Sequence, residues 1–330
     1  MTLPILPPPL KPGDTIAFYT PSSPATHYAP TRFERAKSFL ASKGYNLKAG
    51  TLTGESDSYR SGSIQARADE LNDLIHDESV RCIMSTIGGA NSNSLLPYID
   101  YEHIRKDPKI FVGYSDVTAI QLAILTQANL STFYGPAAVA SFGELPPLVD
   151  RTFDSFYQVA TNQQRPLKIE QPEYWSEEFL DWENQSRSKT LQPNQVDFLG
   201  TGQIGGRLIG GNLNTMLAIW GSPYMPTILP GDILLLEDSL KDISTVERLF
   251  AFLKINGVFD LVGAIILGKH ELFDDKDTGR TPLDVLNEVL NGQQVPIVNG
   301  FDCAHTHPMI TLPLGVPVEI DFDRGQVSLI

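Results

Sequence analysis

The chain has only two cysteines in 330 residues, Cys82 and Cys303. That excludes a disulfide framework and any metal site built on paired cysteines. Cys82 lies in an apolar strand pattern, which predicts a buried, reduced thiol. Positive charge is also scarce: 25 Lys and Arg stand against 39 Asp and Glu, a formal net charge of −14. Binding a nucleic-acid polymer or an anionic membrane rests on clustered cations, so both partners are argued against, although a single nucleotide in a local pocket is not. No apolar run approaches the length of a membrane span. The opening Met1-Thr2-Leu3-Pro4-Ile5-Leu6-Pro7-Pro8-Pro9 lacks a basic start and a proline-free apolar core. It therefore does not read as a signal peptide, and the cytoplasm is the expected compartment.

What is present is ordinary for a globular enzyme: 42% apolar and 19% charged residues, in a chain long enough for two domains. Up to residue 165, short apolar runs alternate with helical patterns. Strands are expected at Thr15 to Tyr19, near Tyr45, at Val80 to Thr86, at Lys109 to Val112 and at Thr132 to Tyr134. Helices are expected over Arg32 to Lys43, Ser63 to His76, around Leu95 and from Asp116 to Leu130. This alternation predicts an α/β domain with a doubly wound, largely parallel sheet, whose site lies in the loops at the carboxyl ends of the strands. Residues 166–193 break into a polar, acidic stretch with Trp175 and Trp182, read as the interdomain connection. Residues 194–330 are strand-rich and glycine-punctuated, a second and less regular α/β domain.

One corner carries the chemistry. Ser115 follows the strand ending at Val112-Gly113 and precedes a helix, as in a nucleophile elbow, where the next amide can donate to an oxyanion. Helix capping by Ser115 or Asp116 explains the same window, and Val117 stands where G-x-S-x-G requires glycine. Glu237 ends the apolar run Ile233-Leu234-Leu235-Leu236 and suits either capping or orientation of an imidazole. His305-Thr306-His307 offers two nitrogens on one strand face but no third ligand at a recognisable spacing, so one histidine as a base is the better use. Ser, Glu, His is a workable chain order for a triad. Two further motifs fail on context. Gly200-Thr201-Gly202-Gln203-Ile204-Gly205 precedes a strand pattern rather than a helix, unlike a dinucleotide fingerprint. Asp274 to Gly279 has its glycine one place early for an EF-hand and reads as a solvated turn.

Taken together, Gly88-Gly89, Gly113-Tyr114-Ser115-Asp116, Gly210-Gly211-Asn212-Leu213, Leu236-Glu237-Asp238, Ala304-His305-Thr306 and Thr311-Leu312-Pro313-Leu314-Gly315 resemble the LD-carboxypeptidase family of serine peptidases. These blocks run over nearly the whole chain. Asn91 to Asp100, Asn212-Leu213-Asn214-Thr215 and Asp181-Trp182-Glu183 resemble its microcin C immunity branch. Two positions depart from the wider family: Ile87, where the murein-recycling branch usually has arginine, and Ala304, often glycine. The resemblance implies Ser115 as nucleophile, His305 as general base and Glu237 orienting it, with the amides of Gly89 and Asp116 as oxyanion donors. It implies a C-terminal β-rich, barrel-like α/β domain, a homodimer, and neither metal nor cofactor. It further implies a small peptide or aminoacyl-nucleotide substrate, with Trp182 against a base and Asn214 and Lys241 near its polar part. Trp182 as an interdomain packing residue and Lys241 as a solvated helix residue are the alternatives. For the whole chain they are a murein-tetrapeptide carboxypeptidase and a non-catalytic ligand-binding protein. A conventional esterase is disfavoured by the missing G-x-S-x-G and HGGG-type loop.

Overall fold

The computed structural model describes residues 3–303 and 305–330, so Ala304 of the Ala304-His305-Thr306 motif, Met1 and Thr2 lie outside the described residues. The first sheet contains β1 (Thr15–Tyr19), β2 (Asn46–Ala49), β3 (Val80–Ser85), β4 (Ile110–Gly113) and β5 (Phe133–Tyr134). These five are parallel in the spatial order 2-1-3-4-5. Strand β4 is buried at every position, as expected where helices cover both faces of a parallel sheet. In this order successive strands are added in opposite directions on either side of the β1–β3 pair, which opens a crevice at their carboxyl ends. The loops after β1 and β3 meet there, the Ser23 amide donating to the Gly88 carbonyl at 3.1 Å and the Ala90 amide to Ser22 Oγ at 3.0 Å.

The second sheet takes β6 (Leu167–Ile169), β9 (Asp197–Leu199), β10 (Gln203–Asn212), β11 (Ile233–Glu237), β12 (Ala264–Gly268), β13 (Ile297–Phe301), β15 (Pro317–Asp321) and β16 (Gln326–Leu329). Their order is 6-16-15-10-11-12-13-9, with β6 and β9 as the edge strands. The long β10 joins two regimes. It pairs antiparallel with β15 over its first five residues and parallel with β11 over its last five. Strands β11, β12 and β13 are parallel and are followed or preceded by the helices Ile243–Ile255 and Pro282–Leu290. Tyr174–Trp175 (β7) and Gln192–Pro193 (β8) form a separate hairpin, and Leu312–Pro313 (β14) returns to pair with β5.

Most expected elements stand within a few residues of their expected ends, and the differences have physical causes. The helix after Ser115 opens as a 3₁₀ turn, Ser115–Val117, before becoming α-helical over Thr118–Ala128. The polar stretch 166–193 is not all connection, because β6 already belongs to the second sheet. The helix Leu148–Thr161 was not anticipated, although Val149, Thr152, Phe153, Phe156, Val159 and Ala160 are buried at helical spacing. Residues 200–202 link β9 to β10 and residues 203–205 already belong to β10, so the glycine pattern there has no helix to open. Asp274 to Gly279 is a turn in which the Asp275 carboxylate accepts the amides of Asp277 and Gly279. Both cysteines are buried and unbridged. Among the described residues, no helix is long and apolar enough to cross a membrane.

The two halves meet at the helix Thr118–Ala128, of which all but Thr126 and Gln127 are buried. The end of β10 reaches its first turn: the Asn212 amide donates to Thr118 Oγ1 at 3.0 Å. Gly211 permits this approach. Its φ is +140°, and a Cβ there would sit 2.8 Å from Thr118 Cγ2. The close approach brings the carboxyl ends of β10 and β11 beside the turn that holds Ser115.

Candidate active site

Ser115 has φ +63°, a left-handed conformation that costs a non-glycine residue on the order of 1–3 kcal/mol and recurs where a side chain must be presented. Its amide donates to Tyr134 Oη at 3.2 Å. The Gly88-Gly89 turn passes directly over it: a Cβ on Gly88 would lie 2.8 Å from Ser115 Cβ, so only glycine lets the two turns pack. Ser115 Oγ has no hydrogen-bond partner among the described residues and faces a cleft of about 380 Å³. That volume suits a small ligand.

From the other half of the molecule, Glu237 at the end of β11 lies fully buried behind His305, which lines the same cleft. Both of its oxygens are engaged. Oε2 faces His305 Nδ1 at 2.7 Å, and Oε1 accepts from Asn212 Nδ2 at 3.0 Å and from the Tyr134 hydroxyl. Burial works against the charged carboxylate, yet the His305 charge and these donors outweigh it, and the Glu237 pKa falls below the ordinary value. For His305, burial acts to lower the pKa, and the Glu237 carboxylate, with lesser help from Glu271 and Asp238, more than offsets it, so the net direction is upward. The Tyr114 ring packs edge-on against the imidazole with centroids 4.8 Å apart. Tyr134 is held protonated by burial and by Glu237, and it links the Ser115 amide to the carboxylate. Ser115 and His305 line one cleft without a hydrogen bond between them.

The amides of Gly89 and Asp116 have no acceptor among the described residues, and both residues line the cleft. The Asp116 side chain has a separate task. Its Oδ2 accepts the amides of Asn91 at 3.0 Å and Ser92 at 2.9 Å, tying the loop after Gly89 to the Ser115 turn. Burial raises the pKa of this carboxyl.

Trp182, Asn214 and Lys241 all line the cleft. Trp182 is half-buried, stacked on Tyr28 with centroids 6.3 Å apart and carrying the Arg32 guanidinium 5.2 Å from its ring. Arg32 is itself wholly buried, paired with Glu144 at 2.9 Å and bonded to Gln185. Asn214 is exposed, its amide bonded to Asp238 Oδ2 at 3.1 Å. Lys241 Nζ lies 3.4 Å from Asp238 Oδ1.

Reading the sequence missed the cleft residues Glu271, Lys189 and the exposed Phe179, and the buried Tyr134 behind the cleft. Burial raises the Glu271 pKa and lowers that of Lys189. None sits in a motif, and only the folded arrangement gathers them. His307 is buried and Nδ1 has no partner among the described residues; burial drives its pKa well below the ordinary value, so it stays neutral. The two histidines thus differ in environment, because only His305 faces a carboxylate.

Comparison with known proteins bears on this geometry. Residues 16–135 match the LD-carboxypeptidase N-terminal domain and residues 205–320 its C-terminal domain. A putative carboxypeptidase of Vibrio cholerae is 62% identical over 317 residues, covering 96% of this chain and 95% of the relative. The microcin C7 self-immunity protein of Escherichia coli is 54% identical over 329 residues, covering 99% and 96%. Solved structures of a microcin C7 self-immunity protein superpose with a TM-score of 0.97, covering 99% of this chain and 98% of that one. Their bound ligands include aspartyl sulfamoyl adenosine, glutamyl sulfamoyl guanosine and, in a tryptophan-to-phenylalanine mutant, adenosine monophosphate.

Proposed function

The chain belongs to the LD-carboxypeptidase family and is a serine carboxypeptidase-type hydrolase, and from that premise we propose a Ser115–His305–Glu237 triad acting on an aminoacyl-nucleotide or a similar C-terminal amide, as in detoxification of a microcin C-like toxin. The observation that carries the reading is the buried Glu237–His305 pair facing the strained Ser115 across the two halves. His305 takes the Ser115 hydroxyl proton as Oγ attacks the scissile carbonyl, since serine is a weak nucleophile without a base. Glu237 fixes the imidazole tautomer through Nδ1 and favours the imidazolium that forms. The Gly89 and Asp116 amides receive the developing oxyanion, each contributing on the order of 3 kcal/mol. His305 then returns the proton to the leaving nitrogen, and water, activated by the same imidazole, releases the acyl group from Ser115.

Substrate choice rests on the rim. Trp182 offers a ring face to a nucleobase, and Asn214 and Lys241 meet the acidic part of the aminoacyl group. A serine-directed phosphonate is expected to label Ser115 stoichiometrically; a chain that binds the aminoacyl-nucleotide but takes no label is a binding protein instead. Hydrolysis of an aspartyl-adenylate amide analogue should exceed that of a murein tetrapeptide in parallel assays. The opposite ranking points to the murein reaction on the same triad.

Trp182→Ala separates base recognition from packing. Base–aromatic stacking is worth about 1–3 kcal/mol. The variant should therefore lose roughly ten- to hundredfold in kcat/KM on the nucleotide substrate, with an amide lacking the base almost unaffected. Equal losses on both substrates, with a clear fall in melting temperature, would assign the ring to packing against Tyr28 and Arg32.

A further inference from the structure

Away from the cleft, two helices bring together the chemistry of a metal centre. His76 is the last residue of the helix Ile64–His76, and Asp100 caps the helix Tyr101–Lys106, which carries His103. One ligand atom from each of the three lies within 4.8 Å of the others. His76 Nε2 is 2.8 Å from Asp100 Oδ2, and the His76 and His103 rings sit edge-to-face with centroids 4.5 Å apart. We propose that His76, Asp100 and His103 form a binding site for a divalent transition ion of the zinc class.

The supports of the site argue for a built arrangement. Asp100 Oδ1 is occupied by the His103 amide at 2.9 Å, which fixes the carboxylate and leaves Oδ2 to face His76. The Asp100 amide is in turn held by Asn72 Oδ1 at 2.9 Å, and Asn72 Nδ2 donates to the Tyr98 carbonyl at 2.8 Å. Such outer contacts orient ligands and are worth about 10- to 100-fold in metal affinity. His103 Nε2 is a second, independent sign: it is buried without a partner among the described residues, a costly state for an imidazole nitrogen. Two imidazoles and one carboxylate suit zinc, with copper and nickel as chemical competitors, and disfavour magnesium and calcium. The His76 and Asp100 side chains are 47% and 39% exposed, so an ion can enter and water can complete its shell. Zinc would displace the proton shared between His76 and Asp100 and tie the two helices together.

None of the three residues lines the cleft, so the site is separable from hydrolysis. Calorimetric titration of the metal-stripped full chain with zinc chloride should give one saturable site, and zinc should raise the melting temperature. His76→Ala and His103→Ala should each weaken that site by about 100-fold or more and abolish the thermal shift. Asp100→Asn keeps the helix cap, since asparagine caps as well as aspartate, and should still weaken zinc about tenfold or more. Cobalt should show a visible absorption band in the parent chain that His103→Ala lacks. Unchanged zinc affinity in both histidine variants, or no saturable binding, overturns the proposal. Prolonged chelation should leave hydrolysis intact; activity lost on chelation and restored by zinc would overturn the triad reading instead, by placing an ion on His305 and His307.

Discussion

Ser115→Ala and His305→Ala are each expected to lower kcat by about 10³-fold or more while leaving the chain folded. Ser115 Oγ makes no hydrogen bond among the described residues, so its removal orphans nothing. His305 is held by one carboxylate and one aromatic contact at the cleft edge. The double variant should be scarcely worse than either single one, because a nucleophile without its base and a base without its nucleophile fail at the same step. Additive losses would mean the two residues act independently. The pH profile carries a second test. His305 serves as a base only when neutral, and its pKa lies above the ordinary value of about 6.5. In the parent enzyme kcat/KM should therefore rise with pH through a midpoint above about 6.5. A midpoint in the ordinary carboxylate range would remove His305 from the role.

Glu237→Gln is the second large effect, with kcat expected to fall by about 10³- to 10⁴-fold, since a neutral amide neither favours the imidazolium nor selects its tautomer. Its volume is conserved, and the amide oxygen still accepts from Tyr134 and Asn212, so the cleft keeps its shape. The distinctive readout is again pH. With the charge gone, burial is opposed only by the lesser pull of the Glu271 and Asp238 carboxylates on His305, and the acid limb of the residual activity should move to lower pH. Stability should respond on both sides. Glu237 has a depressed folded pKa, so its contribution is present above the unfolded carboxyl value of about 4.3 and is lost as pH falls through the folded value. His305 has a raised one, so its contribution is complete below about 6.5 and is lost as pH rises through the folded value. The Gln variant should show a flatter stability–pH curve over both windows. A variant with normal kcat, or an unshifted acid limb, would sever Glu237 from the reaction.

Local sequence signals reached far in the first half. The run Ile110–Gly113 and the buried helix Thr118–Ala128 were legible because a covered parallel strand and its helix are apolar enough to announce themselves. The glycines after β3 and the serine after β4 then marked a sheet edge. The left-handed conformation of Ser115 was not legible, because a serine gives no sign of positive φ, nor was the close packing of Gly88 over it. The helix Leu148–Thr161 was legible in its apolar stripe and was passed over, whereas the short strands β6 to β9 gave little warning, two of them joining the second sheet only through distant partners.

By itself, the sequence determined the fold class, argued against polyanionic partners and a disulfide framework, and offered the three residues of the proposed triad, each at the end of an apolar run or in a recognisable motif. Tertiary structure decided their relations. Glu237 and His305 are 68 residues apart and Ser115 lies in the other half, so no periodicity links them. They meet because Gly211 lets β10 approach the helix at Thr118, and because Tyr134 and Asn212 converge on one carboxylate oxygen. The same is true of Trp182, whose ring is oriented by Tyr28 and the buried Arg32, and of His76, Asp100 and His103, joined across two helices. The physical reason is range: backbone preference and apolar periodicity act over a few residues, whereas hydrogen bonding and charge act between whatever side chains the packed core brings within a few ångströms.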